Sequence, residues 1–323
     1  MTISQPMSNP SPVVEVSGLS KLFGPFQAVN DLSFKVMEGD VYGFLGQNGA
    51  GKSTTIRMLL SLIRPTSGTI RIFGMDMEKH RREILTKVGA VIESPDLYTY
   101  LSGYENMEIF ARLSGIRPDR KLLMDKLDRV GLASRGQDKV RAYSQGMKQR
   151  LGIAVAMVHD PAMVILDEPT NGLDPQGIAD IRNLIRSLSR EQGKTVIVSS
   201  HLLAEIEQVA TRLLIIDRGR KVAEGPIQDL LDPEHVSLEV DTTDNEACLR
   251  YLTGTTWREK VERTVTGRIR LSIAAAAVPS FNRELVEQGF DVRAFNPQNA
   301  LEAYFLSLTQ HNVHVEPGQH RTL

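Results

Sequence analysis

Apolar and polar residues alternate along residues 13–20 and again from Val29 to Val36, a period that predicts two half-buried strands. An unbroken apolar run then begins at Val41 and ends in Gly46. Helical spacing takes over from Lys52 to about Ile63. Strand, Gly-rich turn and helix in that order form the scaffold of a phosphate-binding unit. Helical spacing also dominates from Pro95 to Val158, most clearly in Tyr104 to Leu113 and Lys121 to Val130, which predicts an inserted helical subdomain at about 95–158. Three short apolar strands follow: Met163 to Leu166, Thr195 to Ser199 and Leu213 to Ile216. Between them lie the helical patterns Pro175 to Glu191 and Leu202 to Val209, and such alternation predicts a largely parallel sheet.

The pattern changes near Asp232-Pro233. A strand at 236–240, a helix around Ala247 to Leu252, a strand within Arg268 to Ile273, a helix near Pro279 to Gln288, a strand Phe290 to Phe295 and a helix Ala300 to Leu308 predict a small α+β domain. Trp257 within it reads as packing rather than as a ligand site. The expected organisation is a disordered leader at 1–12, a main domain at 13–232, a second domain at 233–309 and a flexible tail at 310–323. The leader carries three prolines and no apolar periodicity; the tail is polar, with His311, His314 and His320.

Composition narrows the choices. The 323 residues include 38 Lys and Arg against 39 Asp and Glu, so no global basic field exists and no nucleic-acid partner is expected. Cys248 is the single cysteine, which excludes an intrachain disulfide and fits a reducing cytoplasm. No apolar run reaches the roughly 18 residues that a membrane span needs, and residues 1–12 lack an apolar signal core, so a membrane role has to come through a partner.

The Gly-rich turn reads Gly46-Gln47-Asn48-Gly49-Ala50-Gly51-Lys52-Ser53, a complete P-loop between an apolar strand and a helix. Its glycines let successive N–H groups turn toward phosphate oxygens, and the helix start adds a favourable dipole. Lys52 is placed to reach the β- and γ-phosphates of ATP, and the Ser53 hydroxyl to ligate Mg²⁺, with Thr54 beside it. Downstream, Asp167 and Glu168 close an apolar strand. Acids at strand ends also serve as solvated caps, but paired with a P-loop they suit Mg²⁺ binding by Asp167 and proton abstraction from water by Glu168.

Between these motifs, residues 143–150 (Tyr143-Ser144-Gln145-Gly146-Met147-Lys148-Gln149-Arg150) resemble the signature motif of ATP-binding-cassette (ABC) proteins. Asn171-Gly172-Leu173-Asp174 resembles that family's D-loop, His201 its switch histidine and Phe23 its adenine-stacking aromatic, although an aromatic there also suits a core. The resemblance runs from Val13 to Leu231. Independently of it, Ser144 can cap a helix running to about Met157, aiming a hydroxyl, the Gly146 N–H and a positive helix end at an anion.

That resemblance implies an α/β P-loop NTPase cassette with an antiparallel β subdomain, a mostly parallel core sheet and the inserted helices. It further implies Mg²⁺-dependent ATP hydrolysis at a head-to-tail pair of cassettes. There each signature motif closes on the γ-phosphate held by the other subunit, so the partners expected are a second cassette, in a homodimer or a mixed pair, and a multi-spanning permease on a separate chain. The expected location is the cytoplasmic face of a membrane. Most ABC cassettes carry glutamine where Glu93 stands here; a carboxylate can still meet Mg²⁺-bound water but cannot donate to phosphate. Glu93, Tyr98 and residues 103–106 resemble exporters of bacitracin- and lantibiotic-type peptides, as does the segment 301–309, although Glu93 is also compatible with neutral drift. Leu97, Tyr98, Tyr100 and Leu101 offer an apolar-aromatic cluster for a permease helix, or pack internally. The same catalytic residues would serve an importer. A soluble ABC ATPase working on ribosomes or DNA is a further alternative, opposed by the single cassette and the lack of long coiled coils.

Overall fold

The computed structural model describes residues 12–230, 235–263 and 267–299. The leader up to residue 11, the expected helix Ala300 to Leu308 and the tail lie outside the described residues. The chain forms two compact units that divide between Pro226 and Ile227.

The first unit opens with strands β1 (Pro12–Phe23), β2 (Phe26–Met37) and β3 (Val41–Leu45), then helix α1 (Lys52–Leu59). Strands β4 (Ser67–Ile72) and β5 (Met75–Asp76), helix α2 (Met77–Leu85) and strand β6 (Val88–Ile92) follow. Three helices come next: α3 (Gly103–Leu113), α4 (Arg120–Arg129) and α5 (Gln145–Ala156). The unit closes with β7 (Met163–Asp167), α6 (Pro175–Arg190), β8 (Thr195–Ser200), α7 (Leu203–Glu207), β9 (Arg212–Asp217) and β10 (Arg220–Pro226).

Two sheets result. One is antiparallel, in the order β2-β1-β4-β5; the other has six strands in the order β10-β9-β3-β8-β7-β6, parallel except for the antiparallel edge strand β10. Every residue of β3, β7 and β8 is buried, as expected of central parallel strands covered on both faces. The core gathers Val14 and Val16 of β1, Leu32 and Phe34 of β2, Tyr42 and Phe44 of β3, and Ile56 and Leu59 of α1. Phe34 and Phe44 meet edge to face with ring centroids 5.2 Å apart, a favoured aromatic geometry.

The helices α3, α4 and α5 fill the connection between the neighbouring parallel strands β6 and β7, so the helical insertion is an enlarged crossover. Helix α3 begins in a capping box: Glu105 N donates to Ser102 Oγ at 3.1 Å and Ser102 N donates to Glu105 Oε2 at 2.6 Å. Helix α1 stops at Leu59, short of the expected Ile63, because Ser61 turns into the left-handed region at φ 54°.

The second unit contains α8 (Ile227–Leu230), β11 (His235–Thr242), α9 (Asn245–Thr253), β12 (Val261–Arg263), β13 (Ile269–Ala274), α10 (Val278–Glu287) and β14 (Val292–Asn299). Its antiparallel sheet runs β12-β13-β11-β14. Leu238, Val240, Cys248, Leu252, Leu271, Phe281 and Leu285 form a core of its own. Trp257 packs edge to face on Phe281 at 5.0 Å and donates its indole N–H to Glu284 Oε2 at 3.2 Å, which is a packing role.

Candidate functional site

Register places the site. Leu45 of β3 pairs with Ser200 of β8, Ser199 with Asp167 of β7, and Ile92 of β6 with Asp167, so four parallel strands end along one edge. The loops leaving that edge carry the P-loop, Glu168, His201 and Glu93, the position where open α/β sheets bind ligands.

Two glycines explain how the P-loop fits there. A Cβ on Gly46 would stand 2.4 Å from the Ile216 carbonyl oxygen, and one on Gly51 2.7 Å from that of Ala28. Gly51 also has φ 105°, so only glycine is free of strain at the turn into α1. Asn48 and Gly49 are exposed at the loop crest, Ala50 is buried, and Ser53 and Thr54 are half-buried in the first turn. Lys52 is 5% exposed; its ammonium donates to the carbonyls of Gly46 at 2.7 Å and Gln47 at 3.3 Å.

The carboxylates sit opposite. Asp167 is fully buried; its Oδ1 accepts from Ser199 Oγ at 2.6 Å, while Oδ2 has no protein partner. A buried carboxylate oxygen without a donor is costly unless a cation or a bound water meets it, so the residue fits a metal site. Glu168 makes an ion pair with Lys52 Nζ through Oε1 at 3.0 Å. Its Oε2 lies 2.8 Å from His201 Nδ1, which donates because an ionised carboxylate can only accept. Glu168 has φ 49°, a left-handed conformation that its surroundings must hold in place. Lys52, Glu168 and His201 thus form one contiguous group.

The other predicted residues lie further out. Ser144 caps α5, its Oγ accepting from Met147 N at 3.3 Å, and this helix start is exposed. Gly146 lies beside Gly177 of α6, whose N-cap is Asp174, bonded to Gly177 N at 3.0 Å. Phe23 ends β1 half-exposed, with the Lys21 ammonium 5.0 Å from its ring centroid. Tyr98 and Tyr100 are both exposed; their rings meet edge to face at 6.0 Å, and Tyr98 also lies 6.2 Å from the ring of Phe110 in α3.

Glu93 is exposed at the end of β6. Its carboxylate pairs with Arg57 Nη2 at 2.5 Å, and no described hydrogen bond or ion pair joins it to Ser53, Asp167 or Glu168. The guanidinium in the last turn of α1 gives this carboxylate a charge-assisted partner. Sequence reasoning also missed Glu205, whose Oε2 accepts from Thr170 Oγ1 at 2.5 Å and Ser200 Oγ at 3.2 Å. The partners are 35 and 5 residues away, and nothing in the local pattern marks Glu205 from Glu207, the other acid of α7.

A family model described as "ABC transporter" matches residues 29–171. The bacitracin transport ATP-binding protein BcrA of Bacillus licheniformis is 40% identical over 299 residues, covering 92% of this chain and 97% of that protein. The chain belongs to the ABC transporter ATP-binding proteins. Among its other relatives is the lantibiotic transport ATP-binding protein SrtF of Streptococcus pyogenes, 39% identical over 212 residues, or 66% of this chain and 90% of the relative. The cassette also superposes on a dimeric ATP-binding cassette in a post-hydrolysis state bound to ADP and Pi, with a TM-score of 0.60 and 25% identity over 66% of this chain and 98% of that one. As a member of this family the chain is an ATP-binding subunit of an ABC transporter with the α/β cassette fold.

Proposed function

We propose that this ABC protein hydrolyses Mg²⁺-ATP between two cassettes and drives a separate membrane permease that exports a drug, an antibiotic peptide or a lipid-like compound. The observation that carries the catalytic part is the contact of one carboxylate, Glu168, with both Lys52 and His201. The names of the bacitracin and lantibiotic relatives support the cargo class. The proposed place is the cytoplasmic face of the membrane, with the permease on another chain; among the described residues no helix is long and apolar enough to cross a membrane.

The P-loop N–H groups and Lys52 bind the β- and γ-phosphates. Mg²⁺, held by Ser53 and through water by Asp167, would neutralise phosphate charge. Glu93 pairs with Arg57 through Oε1, which leaves Oε2 to join that water shell. A γ-phosphate at Lys52 competes with Glu168 for the ammonium, which frees Glu168 to take a proton from the attacking water. His201, whose Nδ1 donates to Glu168, can also donate from Nε2 to the γ-phosphate when both ring nitrogens carry a proton, bridging the two anions. Ser144, Gly146 and the start of α5 close on the phosphate bound by the partner cassette, with Asp174 at the same face. Phe23 stacks on the adenine.

Replacing Glu168 with Gln removes the base and the competing charge together. Turnover should stop while ATP holds the protein as a dimer, seen by light scattering; continued hydrolysis would remove Glu168 from the mechanism. Transport itself is tested by tagging the chain, expressing it with its chromosomal neighbours and identifying what co-purifies from detergent-solubilised membranes. Recovery of a multi-spanning protein is expected, and recovery only with ribosomes or DNA would overturn the permease.

A further inference from the structure

The Glu168–His201 pair is carried by two chain segments that leave the sheet side by side, joined at the strand ends where Glu168 N donates to Ser199 Oγ at 2.8 Å. Glu168 is in the left-handed region, and its flanking Pro169 has no N–H to offer. His201 is followed at once by a turn into α7. Beyond the strand ends a further side chain touches both segments. Glu205, in the first turn of α7, accepts from Thr170 Oγ1, two residues after Glu168, and from Ser200 Oγ, the residue before His201. Ser200 Oγ in turn accepts from Leu202 N at 3.0 Å, so the hydroxyl proton points at Glu205 and the lone pair fixes the turn on the far side of His201.

We infer that Glu205 is a positioning residue for hydrolysis, fastening the Glu168 loop to the His201 turn so that the two side chains stay in hydrogen-bond contact. It touches none of the groups assigned to ATP. Its effect therefore belongs on the chemical step and not on nucleotide binding, because misplacing a reacting group by about 1 Å can cost roughly 100-fold in rate. A carboxylate that accepts two hydroxyl protons does so through one oxygen, Oε2, and a glutamine carbonyl can take over that role.

This inference rests on Glu168 as the base, so Glu168→Gln is run alongside. The full chain and its variants are compared by steady-state ATP hydrolysis, by binding of a fluorescent ATP analogue and by thermal melting. Glu205→Ala is expected to lower kcat by about 10- to 100-fold with KM and analogue affinity within about twofold. Glu205→Gln should recover most of the rate. Should Glu205→Ala fail to fold, the Thr170→Val, Ser200→Ala double variant removes both donors and is expected to show the same fall in kcat. The inference is overturned if kcat stays within twofold in whichever of these variants folds, if analogue affinity falls as far as kcat, or if Glu205→Gln is as slow as Glu205→Ala. Active Glu168→Gln would instead remove the base assignment on which it depends.

Discussion

Asp167 and Glu168 are neighbours with opposite surroundings. The first is sealed in the sheet with one oxygen unpartnered, the second turned outward by its left-handed backbone to meet a lysine and a histidine. That both acids close an apolar strand at the P-loop edge was legible in the sequence, from the run Met163 to Leu166 that precedes them. The pairing of Glu93 with Arg57 was not, since it depends on how α1 lies against the end of β6. His159 is a second residue whose behaviour follows from its neighbours. It follows α5, is half-buried and lies with Nε2 3.3 Å from the Val88 carbonyl oxygen; burial, the largest influence, pushes its pKa below the ordinary histidine value. The unfolded chain therefore binds the proton more readily than the native one. Stability on this account is full above the unfolded-state pKa of about 6.5 and declines as pH falls below it. A series of melting temperatures from pH 8 to 5 should decline less steeply in His159→Asn than in the parent; parallel curves would remove His159 as a source.

At the scale of elements, strands and helices with a strong apolar run or an unambiguous phase were readable: β3, β7, β8 and β9, and helices α3, α4 and α6 within a residue or two at most ends. Those overlooked lack such a signal. Strand β4 buries only Ile70 and Ile72, β10 is a charged edge strand, and α2 buries just Met77 and Ile84. Strand β6 was missed for a different reason: glycine interrupts its five residues where another backbone must come close. A Cβ on Gly89 would stand 2.2 Å from the Ala156 carbonyl oxygen at the end of α5. Backbone cannot swing aside as a flexible side chain does, so Gly89→Ala should cost about 1–3 kcal/mol. A denaturant midpoint equal to that of the parent would show that α5 can slide on β6 freely.

For the whole molecule, the two units have separate cores, one spanning the antiparallel and parallel sheets and the other built around Leu238, Cys248 and Phe281. Two cores in one chain break the assumption of a single all-or-none transition. Indole fluorescence and helical circular dichroism should therefore give different unfolding midpoints, whereas coincident curves would mean that the units melt as one. The change of pattern near Asp232 lies a few residues beyond the division at Pro226 and Ile227, and that pattern assigns the small domain no chemistry.

The second core does hold both the chain's single tryptophan and its single cysteine. Cys248 is fully buried, and burial pushes its thiol pKa up to about 11, so little thiolate is present near neutral pH. Reaction with a maleimide should wait for that core to open. Trp257 emission and Cys248 labelling then give an optical and a chemical clock for the same small body, readable in the unaltered protein while ATP is being turned over in the other.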